Sequence, residues 1–124
     1  MPRVVHFELS AEDPERAAKF YSDVFGWQIQ KWDGPHEYWM LMTGDQDKPG
    51  INGGLMRQSP DFPARTPINT LDVDSVDEYT AKIEASGGKI VMPKMAVPTI
   101  GWLAYAQDTE GTLFGIMQPD PAAA

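Results

Sequence analysis

Val4-Val5-His6-Phe7-Glu8-Leu9, followed by Asp13-Pro14 and closed at Phe25-Gly26-Trp27, is the stretch on which the fold turns. The first six residues alternate as a half-buried strand does, with Phe7 and Leu9 on one face and Val4, His6 and Glu8 on the other. Asp13 is a good N-cap, and Pro14 suits the first helical position, where a missing N–H costs nothing. Ala17, Ala18, Phe20, Tyr21, Val24 and Phe25 form the apolar stripe of the helix, and Gly26 ends it. Three strands follow, at 27–32, 38–43 and 51–57. Asp33-Gly34-Pro35 forms a turn after the first of them, and residues 44–50 form a loop after the second.

The same order then recurs. Residues 67–73 read as a strand. Ser75-Val76-Asp77-Glu78 matches a capping box and opens a helix with Val76, Tyr79 and Ile83 on its apolar stripe. Gly87-Gly88 closes that helix. Strands follow at 89–92, 102–106 and 112–118, with a loop at 95–101 and the turn Asp108-Thr109-Glu110-Gly111. A shift of 62 positions carries His6 onto Ile68, Leu9 onto Leu71, Gly26 onto Gly88 and Gly53 onto Gly115. Agreement of element order, caps and terminal glycines marks an internal repeat. The expectation is a single α+β domain of two tandem strand-helix-three-strand units, forming a curved mixed sheet around a cleft. The first unit covers 3–58, the linker 59–66, the second unit 67–118 and a loose tail 119–124.

Composition bounds the function. The chain has 124 residues, 42% hydrophobic and 23% charged, which suits one globular domain. It has no cysteine, so disulfides, thiolate metal sites and a Cys nucleophile are excluded. Eighteen acidic against ten basic residues give a net charge of −8, which argues against a nucleic-acid partner. No apolar run reaches the roughly 20 residues needed to cross a bilayer, and the N-terminus has no signal-peptide core, so no membrane partner and a cytoplasmic location are expected.

Val5-His6-Phe7, Phe20-Tyr21-Ser22-Asp23-Val24-Phe25-Gly26-Trp27 and Asp108-Thr109-Glu110-Gly111-Thr112-Leu113-Phe114 together resemble the glyoxalase, bleomycin-resistance and dioxygenase group, the vicinal oxygen chelate superfamily. The resemblance runs from Arg3 to Gln118 and implies its fold more specifically than any one activity. In metal-dependent members, His or Glu ligands project from the first and last strand of each unit. The resemblance puts those positions at His6, Gly53, Ile68 and Gly115, of which only His6 carries a donor atom. It therefore implies no metal or other cofactor here, and, as in short members of the group, a homodimer.

His6 and Glu8 share a strand face roughly 7 Å apart, which suits acid–base work or a polar ligand contact. The candidate catalytic residues are His6 and Glu8. The candidate ligand-binding residues are His6, Glu8, Tyr38, Thr70 and Trp102, with glycines at 53, 54 and 115 widening the space. His36, in a turn, reads as an exposed side chain. The expected function is binding of a small organic molecule in the cleft without the usual metal site. The alternative is a lyase- or isomerase-like enzyme using His6 and Glu8 or a weakly held divalent metal. A scaffold with no ligand is the third reading.

Overall fold

The computed structural model describes residues 1–60 and 67–124, so most of the expected linker at 59–66 lies outside the described residues. Among the described residues, eight strands and two helices follow one another in the expected order: β1 (Val4–Ala11), α1 (Pro14–Phe25), β2 (Gln28–Lys31), β3 (Trp39–Met42), β4 (Gly53–Arg57), β5 (Ile68–Asp72), α2 (Val76–Ala85), β6 (Lys89–Val97), β7 (Gly101–Gln107) and β8 (Leu113–Pro119). The architecture is α+β, with parallel and antiparallel pairing mixed. The chain divides into two compact units, His6–Pro67 and Ile68–Ala124, the latter joined by Met1–Val5. No helix among the described residues is long and apolar enough to cross a membrane.

In the N-terminal unit the strand order is β2-β3-β4-β1. β1 and β4 run parallel, with Phe7 beside Gly53, Glu8 beside Gly54 and Leu9 beside Leu55. β3 is antiparallel to both β2 and β4. Asp13 caps α1 by accepting the Arg16 N–H at 3.1 Å, and Gly26, at φ 72°, ends it in the left-handed conformation. Trp39, Leu41 and Leu55 form the buried core, with Phe7, Leu9, Ala17 and Ala18 packed on it. This is the α1 side of the sheet. Burying each of the large side chains is worth about 1.5–3 kcal/mol.

The α1 stripe is wider in sequence than in the fold. Ala17 and Ala18 meet the core, and Tyr21 stacks on Trp27 with ring centroids 4.9 Å apart. Phe20, Val24 and Phe25 remain more than half exposed. The stacked Tyr21–Trp27 pair seals that flank, so the neighbouring row i, i+4 of Phe20 and Val24 lies beyond the core edge.

The C-terminal unit repeats the plan in the order β5-β8-β7-β6. β5 and β8 are parallel, with Thr70 beside Gly115 and Leu71 beside Ile116. Ser75 Oγ accepts the Glu78 N–H at 3.1 Å, the first half of the capping box. Glu78 Oε1 lies 3.4 Å from Lys82 Nζ. Val73, Val76, Ala104 and Ile116 form the core, joined by Tyr79, Ile83, Trp102 and Phe114.

Two expectations for this unit are corrected. The loop expected at 95–101 is largely strand: β6 continues to Val97, pairing Met95 with Leu103 and Ala96 with Trp102. It passes two irregularities in register, between Ile90 and Met92 and between Met92 and Met95. The second spans Pro93, whose missing N–H is tolerated at a bulge. The tail expected to be loose from 119 onward is tied down. Asp120 N–H donates to the Ile100 carbonyl at 2.9 Å, Thr99 N–H donates to the Ala123 carbonyl at 3.0 Å, and Ala123 is buried.

Candidate functional site

The strand register sorts the candidate residues by face. In β1, Phe7 and Leu9 point to α1, so His6, Glu8 and Ser10 point to the opposite, helix-free face. Gly54 shares that face because it lies beside Glu8, and Met56 shares it beside Ser10. Met40 lies beside Gly54 on the other flank, which puts Tyr38, Met40 and Met42 of the adjacent chain on the same side.

His6 and Tyr38 meet there. The Tyr38 hydroxyl and His6 Nε2 are hydrogen-bonded at 2.8 Å, bridging 32 positions of sequence. The β2–β3 hairpin fixes Tyr38 from behind: Trp32 N–H donates to the Tyr38 carbonyl at 2.7 Å, and the Trp32 and Tyr38 rings meet edge to face. Glu8 is 5% exposed, an unusually low value for a carboxylate, which demands compensation by polar neighbours. Burial lowers the His6 pKa below its usual 6.5, and the Glu8 charge opposes that shift as the smaller effect. The imidazole is therefore neutral at neutral pH, with one nitrogen able to accept a proton.

The structure brings His6, Glu8 and Tyr38 onto one face of one unit. Thr70 and Trp102 belong to the other unit and lie on opposite faces of its strands. Thr70 is buried beside Gly115, opposite Tyr105, on the helix-free side. Trp102 shares the α2 side with Ala104, where its Nε1 donates to Asp120 Oδ2 at 3.0 Å and Lys94 Nζ sits 4.9 Å from the ring centroid. His36 is exposed.

The register also moves one of the four positions at which metal ligands were sought. Gly53 lies beside Phe7 and faces α1, so the β4 position on the His6 face is Gly54. Nor do these glycines leave open space. A Cβ at Gly53 would meet the Phe7 ring at 2.6 Å, and one at Gly54 would overlap the Tyr38 hydroxyl and Cζ. At Gly115 it would come within 3.2 Å of Thr70 Oγ1 and 3.3 Å of Tyr105 Cε1. Glycine lets these rings and side chains approach the backbone. Of His6, Gly54, Ile68 and Gly115, only His6 bears a donor, and among the described residues no three His, Cys, Asp or Glu side chains converge on a point that could hold a metal ion. The sequence does not single out Met56 or Tyr105 as site residues, nor does it show the His6–Tyr38 bond. The shared parity of Tyr38 and Met40 was the available signal. A depression of about 500 Å³ at the start of α1 is lined by Ser10, Glu12, Asp13, Arg16, Phe20 and Tyr21 among others. It holds none of the candidate residues.

Comparison with known proteins agrees with this architecture. Residues 3–44 match the bleomycin resistance protein-like N-terminal family. A glyoxylase-like domain-containing protein of Didymella fabae is 33% identical over 113 residues, covering 88% of this chain and 88% of that protein. The chain is a glyoxalase-like protein of the vicinal oxygen chelate superfamily. Another glyoxalase-like relative, the putative glyoxylase CFP32 of Mycobacterium bovis, is 27% identical over 116 residues. That match covers 92% of this chain but only 43% of CFP32, so the glyoxalase-like chain spans less than half of that relative. Among solved structures, a variant of the Streptomyces coelicolor methylmalonyl-CoA epimerase in complex with 2-nitronate-propionyl-CoA superposes with a TM-score of 0.70. It covers 98% of this chain and 97% of the epimerase at 14% identity, a likeness of fold alone.

Proposed function

We propose that this glyoxalase-like protein binds a small organic molecule on the helix-free face of its N-terminal unit, without the superfamily's usual metal site. The observation that carries this reading is the hydrogen-bonded His6–Tyr38 pair set beside buried Glu8 and flanked by Met40 and Met56. Polar groups few in number, fixed in place and surrounded by adaptable apolar side chains suit recognition of an organic ligand. The fold neighbour that holds a CoA compound supports small-molecule binding in general terms. The donor set argues against a resident metal, since one histidine supplies too few ligands for tight binding.

The reading is tested by two titrations of the purified chain. In NMR titrations with uncharged aromatic fragments, the expected shifts fall on His6, Tyr38, Met40 and Gly54, and shifts confined to other surfaces contradict the reading. In native mass spectrometry with nickel, zinc and manganese, no tightly held ion is expected, and one ion per chain surviving dilution would overturn the metal-free part.

A second reading, an isomerase- or lyase-like enzyme acting through His6 and Glu8, is favoured by the lowered pKa of His6, which leaves a neutral imidazole as base at pH 7. The homodimer implied by the superfamily resemblance is retained in the proposal. Light scattering is expected to give twice the chain mass of 13.8 kDa, and a monomer mass would remove it.

A further inference from the structure

The two helices hold matching places in the two units, yet among the described residues α1 alone leaves large apolar helix side chains exposed. The shift of 62 carries Pro14 onto Val76, both buried, and Ala17 onto Tyr79, both packed on their cores. The neighbouring row on α2 is Glu78, Lys82 and Ser86, all exposed, with Glu78 and Lys82 ion-paired at 3.4 Å. Its counterpart on α1 is Arg16, Phe20 and Val24, where Phe20 and Val24 are each 56% exposed. Phe25, at the end of the helix, is 60% exposed. The fold therefore does not require apolar side chains in this row, and on α1 they need another explanation. The patch is continuous: Phe20 meets Tyr21 edge to face at 5.2 Å between centroids, and Tyr21 stacks on Phe25 at 6.2 Å. Trp27 backs it, stacked on Tyr21. We infer that this face docks a second copy of the chain, α1 against α1 in antiparallel order, with Phe20 of each copy opposite Val24 of the other. The inference rests on the homodimer reading above and names its surface.

The charges beside the row select a second copy as the occupant. Lys19 and Asp23, one turn apart, flank Phe20 and Val24 on the side turned away from Ala17 and Tyr21. They are ion-paired at 2.5 Å, with side chains 76% and 61% exposed. A two-fold axis between antiparallel helices keeps this flank on the same side in both copies and reverses its order. Lys19 of each copy then lies opposite Asp23 of the other, and the two pairs become one alternating group of four charges. Arg16, one turn before Phe20, comes to the C-terminal end of the second copy's α1. That end has no basic residue in its own last turn, and its exposed carbonyls favour a cation. The apolar row and both charged positions are thus complementary to themselves under one symmetry operation. A pair of 12-residue helices makes a small interface, so the dimer is expected to dissociate in roughly the micromolar range.

The test is sedimentation velocity of the full chain across a concentration series, with helix content followed by circular dichroism. Phe20→Lys with Val24→Ser gives α1 the residues of the matching row on α2. The expected result is an unchanged helix content and a dimer dissociation constant raised roughly tenfold or more. Lys19→Asp and Asp23→Lys each set like charges against each other across the two-fold axis. Each alone should be monomeric where the wild-type chain is dimeric, and the two mixed in equal amounts should recover a dimer containing one of each. A folded Phe20→Lys, Val24→Ser chain that dimerises like the wild type would overturn this surface and leave the homodimer reading in place. Mixing that recovers no dimer would overturn the antiparallel register. A wild-type chain that stays monomeric at every concentration would overturn both the inference and the homodimer reading, and its flotation with phosphatidylcholine vesicles would assign the patch to a lipid surface instead.

Discussion

The two units build the same scaffold and finish it differently. Both place a core of branched and aromatic side chains against one helix, and both leave a glycine on the helix-free face of their parallel strand pair, Gly54 beside Glu8 and Gly115 beside Thr70. In the N-terminal unit that glycine receives a tyrosine hydroxyl that bonds to a histidine. In the C-terminal unit it receives the edge of Tyr105 and the Thr70 hydroxyl, and the position matching His6 is the buried Ile68. One copy of the plan places a histidine, a carboxylate and a phenol on this face, and the other places the Thr70 and Tyr105 hydroxyls there beside Ile68.

This difference predicts unequal responses to the same substitution. Gly54→Ala drives a Cβ into the Tyr38 hydroxyl, so the ring must leave and the His6 bond must break. A loss of about 1–3 kcal/mol in denaturant unfolding is expected. Gly115→Ala meets neighbours at 3.2 and 3.3 Å, which need yield only slightly. The reduced freedom of the unfolded chain, worth about 0.4–1 kcal/mol, offsets that crowding, so the net change should be close to zero. Equal losses at the two sites would break the contrast.

A smaller effect sharpens it through pH. The folded pKa of His6 is lowered, so the unfolded chain binds more protons as pH falls below 6.5. The stability associated with neutral His6 is fully present above 6.5 and is lost as pH falls through the lowered folded value, at about 1.4 kcal/mol for each unit of lowering. His6→Gln should flatten that part of the pH profile when unfolding is followed between pH 4 and 8. An unchanged profile would mean that His6 is not the group responsible.

The fold was legible because its signals are local. Asp13, Pro14, Gly26 and Ser75 each cap a helix through atoms within a few residues, and the alternation in 4–9 fixes which face is buried. The extension of β6 was not legible, because Pro93 disguises a strand that survives by bulging. Nor was the order at Asp120 and Ala123, which depends on partners at Ile100, Trp102 and Thr99. The candidate site was legible as residues and not as an assembly. A 62-residue shift pairs Gly53 with Gly115, whereas the strand register pairs Gly54 with it, a shift of 61 at that strand. One position inverts the face. That slip hid the contact between Tyr38 and Gly54, and with it the bond to His6, which joins residues 32 positions apart. Trp102 is a ligand-binding candidate by sequence, but its parity with Ala104 puts it on the α2 side.

The central claim is that His6 is held neutral, partly buried and bonded to Tyr38 on the helix-free face of the N-terminal unit. The most direct measurement is an NMR pH titration of the His6 ring nitrogens in the intact chain. The account predicts a midpoint below 6.5. A midpoint at or above 6.5 would contradict it.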